Sequence, residues 1–320
     1  MVGVRVVIVS LWLGLDLGGT NTKAAVVDDD TWQLVETGQV ATDRSSPARA
    51  VAALAQYGRE WMHRFPGVVQ VGVTVPGHFD SARDRATIVP NIPGDWTMQP
   101  FREPIERILG RPVVVINDAR AFGLAESRLG AARGFADVLG IVLGTGVGGA
   151  LILDGKLRLG NIGIAGEVGH QVLDPNGPAC GCGNHGCLES LVKASSIAAE
   201  AGTPTVADAV AAARSGDSRA LSAIQNAAVW LGIGIANVVN VMSPQVIVVG
   251  GGIAQADDVL FQPLVDELRR RTPLVPEGSF VVVKSMLGTA AGAVGAAVLA
   301  SELPRCEEKD PVSMTQRDAT

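Results

Sequence analysis

The sequence predicts an α/β fold built from two related halves, and two observations carry that prediction. Short, continuously apolar runs of the kind buried on both faces of a sheet, such as PVVVIND at 112–118 and QVIVVGGG at 245–252, alternate with stretches at helical spacing. The pattern of apolar run, glycine turn, apolar run also occurs twice, around DLGGT at 16–20 and LGTGVGG at 143–149. At 320 residues the chain has room for one large or two medium domains, and 47% hydrophobic residues supply a core for either.

Residues 1–10 read as an extended leader to the first strand. Residues 11–28 are two strands around a glycine turn. Over 48–65, Val51, Leu54, Ala55, Gly58, Met62 and Phe65 form one helical stripe. GVVQVGVTVPG is a strand ending at Pro76-Gly77, and FREPIERILG is a short helix stopped by Gly110 and Pro112. The strand 112–118 leads into a helix reaching about Gly130, and 138–157 repeats the opening run, turn and run. From Asp217 a helix is predicted through Ala220–Met242, then a strand at 245–252, a helix at 257–271, a strand at 279–284 and a helix at 288–302. The polar tail over 304–320 is expected to be disordered, with Cys306 idle in it.

Net charge is −6, and no cluster of Lys and Arg forms a stripe, which argues against nucleic acid as a partner. The apolar start lacks a basic leader region, and Asp16 interrupts it before it reaches membrane-spanning length. Four cysteines, three of them clustered, suit a reducing cytosol.

The densest polar segment is EVGHQVLDPNGPACGCGNHGCLE at 167–189. Cys180, Cys182 and Cys187 fall within eight residues, and His170 precedes the first by ten. Three thiolates and one imidazole complete a tetrahedral structural zinc site. Glycines at 181, 183 and 186 let so short a loop converge on one ion. The competing reading is a disulfide loop, which the close spacing of Cys180 and Cys182 disfavours. Glu167 and Glu189 flank the cluster, so a metal that fixed the loop would also fix both carboxylates.

Residues 144–149 satisfy G-x-G-x-x-G, yet the apolar ALILDGKL follows where a dinucleotide site needs a helix, so this turn joins two strands. Both glycine turns offer unhindered N–H groups suited to phosphate oxygens. Asp118 ends a buried strand and opens a helix. It reads equally as a helix N-cap or as a general base at the carboxyl end of the sheet, with Asn117 beside it able to bond a hydroxyl. Asp16 presents a similar choice between turn chemistry and positioning of magnesium or phosphate.

Taken together, DLGGTNTKAAVVD, GVTVPGHFD, NDARAF, LGTGVGGALILDGKL, GEVGH, CGCGNHGCLE and PQVIVVGGGI resemble the ROK family of sugar kinases, within the actin/hexokinase/Hsp70 superfamily, and most generally its bacterial glucokinase-like members. The motifs run from about residue 12 to 300, and the E-x-G-H with C-x-C-G-x-x-G-C-x-E combination is the most specific of them. The resemblance implies two actin-like (ribonuclease H-like) domains with a cleft between them. The first is expected over 1–118, with the helix near 288–302 packed back on it, and the second over 119–303, carrying the zinc loop 170–187. Asp118 becomes the general base. Gly77, Asn117, Glu167, His170 and Glu189 become sugar contacts, and His170 also joins Cys180, Cys182 and Cys187 on zinc. Asp16, Gly18, Gly19, Thr20, Asn21, Gly144, Thr145 and Gly146 would meet the phosphates of ATP with Mg²⁺, and Gly251 and Gly252 the adenosine.

Two departures stand out. The family's Asn-Asp-Ala-Asn is Asn-Asp-Ala-Arg here, which introduces Arg120, and the Asn that many members carry after the segment's Trp is replaced at Thr97 and Met98. Asn91 is the candidate substitute for that amide. The implied activity is phosphorylation of glucose at O6 by a cytoplasmic dimer or tetramer. The alternatives are a kinase of an amino or N-acetyl hexose, a polyphosphate-dependent enzyme, and a sugar-sensing regulator. The last is disfavoured because DLGGT begins at residue 16, which leaves no room for a helix-turn-helix.

Overall fold

The structure is a computed structural model that describes residues 10–80, 84–89, 92–97 and 99–303. Residues 1–9 of the expected leader, the tail from 304 with Cys306, and residues Asn91 and Met98 lie outside the described residues.

The first half contains β1 (Leu11–Leu17), β2 (Asn21–Asp28), β3 (Leu34–Ala41), α1 (Pro47–Arg64), β4 (Val68–Val75), β5 (His78–Asp80), β6 (Arg85–Ile88), α2 (Arg102–Leu109) and β7 (Val113–Asn117). After α3 (Asp118–Arg128) come β8 (Val138–Leu143), β9 (Val147–Leu153) and β10 (Lys156–Leu157), then α4 (Leu188–Val192), α5 (Ala194–Ala201), α6 (Val206–Arg214) and α7 (Ser218–Met242). The chain closes with β11 (Val246–Gly250), α8 (Asp257–Arg271), β12 (Val281–Lys284) and α9 (Ala291–Ala300).

Strands β5 and β6 form a separate pair, and the other ten form two five-stranded sheets of one topology, β3-β2-β1-β4-β7 and β10-β9-β8-β11-β12. In each, the first three strands are an antiparallel meander and the last two join in parallel. The repeated glycine turns of the sequence are therefore equivalent hairpins, β1–β2 and β8–β9. The register Leu143↔Val147 closes the second hairpin, as the strand-turn-strand reading of 144–149 requires.

Helix α1 starts where Ser46 accepts the N–H of Arg49 and Pro47 takes the first turn, and it buries Val51, Leu54, Ala55 and Trp61 on the first sheet. Helix α9 is almost entirely small residues because it lies directly on strands. A Cβ on Gly14 of β1 would sit 1.8 Å from the carbonyl oxygen of Ala293. Helix α7 is apolar and long enough to cross a membrane by length and composition, but Ala223, Ile224, Leu231 and Ile235 are buried in the core of the second half.

Strand β3 and helices α4 to α6 are elements that the sequence pattern does not announce. Strand β3 is an edge strand exposed along most of its length, so it lacks an apolar stripe. Helices α5 and α6 bury mainly alanines, which give a weak periodic signal.

Candidate active site

Strand β7 delivers Asn117 and Asp118 to the carboxyl edge of the first sheet, where α3 begins. The helix is capped by Asn117, whose Oδ1 accepts the N–H groups of Ala119 at 2.9 Å and Arg120 at 3.2 Å. Its Nδ2 donates to the carbonyl oxygen of Gly77, tying the Pro76-Gly77 turn to the same point. Asp118 is thus the first helical residue and not the N-cap, which corrects the capping alternative drawn from the sequence. Its carboxylate accepts from the N–H of Ala119 and faces a cavity of about 460 Å³. Burial pushes the Asp118 carboxyl up to about 7, assisted by the charges of Asp16 and Glu167 and opposed by the Ala119 N–H and the Arg120 guanidinium.

That cavity is lined from both halves. Asp16, Gly18, Lys23 and Asp118 come from the first sheet and its edge, and Val142, Gly251, Gly252, Ser285 and Thr289 from the second. Asp16 is buried and held from two sides, accepting from the hydroxyl of Thr74 at 2.5 Å and from Lys23 Nζ at 3.3 Å. The turn carrying Gly18, Gly19, Thr20 and Asn21 is braced by Thr42, which donates its hydroxyl to the Gly18 carbonyl and its N–H to the Thr20 carbonyl. On the opposite hairpin, the turn Gly144-Thr145-Gly146 is fixed by Glu189, whose Oε2 accepts the N–H of Val147 at 3.0 Å. Glu126, fully buried on α3, accepts backbone N–H groups from Met286 and Leu287 and so anchors the segment that leads to Thr289.

A smaller pocket of about 80 Å³ is lined by Gly77, Phe79, Ile116, Asn117, Arg120, Leu159, Gly163 and Glu167. The structure therefore gathers Gly77, Asn117 and Glu167 at one pocket and Asp16, Gly18, Asp118, Gly251 and Gly252 at the other. Glu189 is instead engaged with the hairpin backbone and lies 3.8 Å from Cys180 Sγ. Nothing in the sequence pattern singles out Thr42, Thr74 or Glu126, because single polar residues inside apolar runs carry no spacing signal.

The ligand atoms of His170, Cys180, Cys182 and Cys187 all lie within 4.8 Å of one another. Cys182 Sγ is 3.7 Å from Cys187 Sγ, and Cys180 Sγ is 3.7 Å from His170 Nδ1. A disulfide would hold two sulfurs at about 2.05 Å. A tetrahedron with metal–sulfur bonds of about 2.3 Å has edges of about 3.8 Å, so the donor set fits zinc. The loop closes this tightly because Gly186 takes φ +64° and packs against the Asp174 carbonyl, where a Cβ would lie 1.5 Å from the oxygen.

Two sheets of identical order with a cavity between them define an α/β fold of the actin-like superfamily. The chain belongs to the ROK family, whose family model matches residues 12–303. The glucokinase of Streptomyces coelicolor is 34% identical, over 91% of this chain and 98% of that protein. Among solved structures, the ROK hexokinase from Thermus thermophilus is 36% identical with a TM-score of 0.81, over 91% of this chain and 97% of that one. A ROK glucokinase from Streptomyces griseus, solved with glucose and AMPPNP, is 33% identical with a TM-score of 0.74, over 91% and 99%.

Proposed function

We propose that this protein is a hexokinase that transfers the γ-phosphoryl group of ATP to a hexose, with glucose as the preferred acceptor and O6 as the attacking atom. The observation that carries this reading is the position of Asp118. It lines the larger, glycine-lined cavity with a carboxyl held near 7, and the residue before it, Asn117, lines the smaller pocket together with Glu167 and Arg120. The resemblance to a glucokinase solved with glucose and a nucleotide analogue supports assigning the hexose to the smaller and the nucleotide to the larger.

In this reading Asn117, Glu167 and the Gly77 backbone hold the sugar hydroxyls. Asp118 takes the proton from O6 as that oxygen bonds to the γ-phosphorus and the bond to the bridging oxygen of ADP breaks. The protonated Asp118 then returns its proton to solvent. Gly18, Gly251 and Gly252 bring backbone close to the nucleotide, and Lys23 places a cation in the same cavity. Asp16 is the residue suited to hold Mg²⁺, which supplies charge neutralisation when bound. Zinc on His170, Cys180, Cys182 and Cys187 is structural, supplying rigidity to the segment that presents Glu167 and Glu189. ATP as the phosphoryl donor and a thiolate metal site are what support a cytosolic setting for the enzyme.

A coupled ADP-release assay across glucose, mannose, glucosamine, 3-amino-glucose, N-acetylglucosamine, N-acetylmannosamine and fructose tests the proposal. Turnover highest with glucose is the expected result. Turnover confined to an N-acetyl hexose would replace glucose as acceptor, and ADP release with none of them would overturn the assignment. Replacing ATP with polyphosphate in the same assay decides the donor.

A further inference from the structure

Arg120 is an unusual residue for the place it occupies. It is 2% exposed, carries a full charge and lies on the first turn of α3, two residues beyond Asp118. Its Nη1 lies 2.7 Å from Glu167 Oε1 and 3.4 Å from Asn117 Oδ1, and its Nη2 donates to the Ala165 carbonyl at 3.0 Å. The other oxygen of Glu167, Oε2, is 3.9 Å from His170 Nε2, while the opposite ring nitrogen faces Cys180. A line of polar contacts thus runs from the cysteine cluster through His170 and Glu167 to the helix that begins with Asp118.

We propose that Arg120 is a positioning residue that fixes Glu167 and the 159–167 segment to the helix of the base. It thereby restricts the acceptor pocket to one free carboxylate oxygen. This rests on the hexokinase reading and specifies how the acceptor is held. Residues 159–164 are all exposed, and Gly160, Gly163 and Gly166 take positive φ, so the segment has little packing of its own. The planar fork of Arg bridges a carboxylate and a carbonyl at once, which an Asn from the same Cα is too short to do. With Oε1 committed to Arg120, Oε2 is the oxygen left to accept from a sugar hydroxyl.

The test uses full-length Arg120→Asn, Arg120→Lys, Glu167→Gln and the double variant Arg120→Asn/Glu167→Gln, compared by hexose KM, kcat and amide exchange over 159–167. Arg120→Asn is expected to raise the hexose KM by about 10–100-fold, with a smaller change in kcat and faster exchange across the segment. Arg120→Lys keeps the charge without the fork and is expected to fall between it and wild type. The losses in the double variant should be less than multiplicative, because both singles break the shared Arg120–Glu167 contact. If Arg120→Asn fails to fold, the Lys variant carries the comparison. Losses that multiply in the double variant, with unchanged exchange over 159–167, would overturn the proposal. A wild-type protein that phosphorylates no hexose overturns the function instead, and the exchange measurement then decides the role of Arg120 alone.

Discussion

Asn117 caps the helix that Asp118 begins, so the cap and the proposed base are adjacent residues. The cap accepts two backbone N–H groups through Asn117 Oδ1, and the Asp118 carboxylate is left facing the cleft. Asp118→Asn removes a charge without touching the cap. Its kcat is expected to fall by about 10²–10⁴-fold if the carboxylate accepts the proton. Burial works against the charged form of Asp118, so the neutral Asn should also stabilise the fold at neutral pH. Allowing for the solvent that reaches the cleft, the gain is on the order of 1 kcal/mol, or about 2–4 °C in Tm. A stable variant with full activity would return Asp118 to a structural role.

The same group sets a pH dependence. A base must be deprotonated to act, so kcat/KM is expected to rise with pH and level off above about 7, falling roughly tenfold per unit on the acid side. Stability runs the other way. Because the folded-state value lies above the ordinary 3.8, the folded protein holds this proton more tightly than the unfolded chain. The stabilisation from the neutral carboxyl is complete below 3.8 and is lost as pH rises towards about 7. The Tm advantage of Asp118→Asn should therefore grow from pH 4 to 7 and stay constant above it. A flat difference across that range, measured by calorimetry, would remove Asp118 as the titrating group.

Zinc removal is expected to affect activity through Glu167 and Glu189 rather than through the chemistry itself. Elemental analysis of the purified protein should find about one zinc per chain. Cys182→Ser removes the most exposed of the three thiol ligands and is expected to release the metal and abolish turnover. The protein should stay folded at its two sheets, because their cores do not include Cys182. Active enzyme free of zinc would end this reading.

Much of this architecture is legible in the sequence, and its gaps have physical causes. The repeated run-turn-run pattern gives both hairpins, and the continuous apolar runs give β4, β7, β8 and β11, because strands buried on both faces need no polar residues. Strand β3 is missed because an exposed edge strand has no core-facing alternation to detect. The zinc ligands are readable because they sit within one short loop. The partners of Arg120 are not, since Ala165 and Glu167 meet it across 45 and 47 positions of chain, and only the folded hairpin brings them together. Neither is the choice between Asn117 and Asp118 as the cap, where two good capping residues stand side by side and backbone geometry decides.

Selectivity among hexoses is expected to depend on the segment after Trp96. Trp96 is buried, with its indole N–H donated to the Ile92 carbonyl, so it anchors the segment. Thr97 is exposed, and both its N–H and its hydroxyl are bound to Asp95 Oδ1, at 2.9 and 2.6 Å. Position 97 therefore has no donor left for a sugar hydroxyl, and the Met98 side chain offers none. A site built to bond a hydroxyl rejects analogues lacking it because its polar groups are then left unpaired, and a site without that amide discriminates less at the same hydroxyl. Glucose is expected to be the best acceptor, with mannose or an amino-glucose within about tenfold in kcat/KM, a gap of roughly 1.4 kcal/mol. Met98→Asn restores the amide and should widen the gap in favour of glucose. If wild-type protein already prefers glucose by several orders of magnitude, discrimination at that hydroxyl comes from elsewhere in the pocket, and Arg120→Asn is the variant that would then expose it.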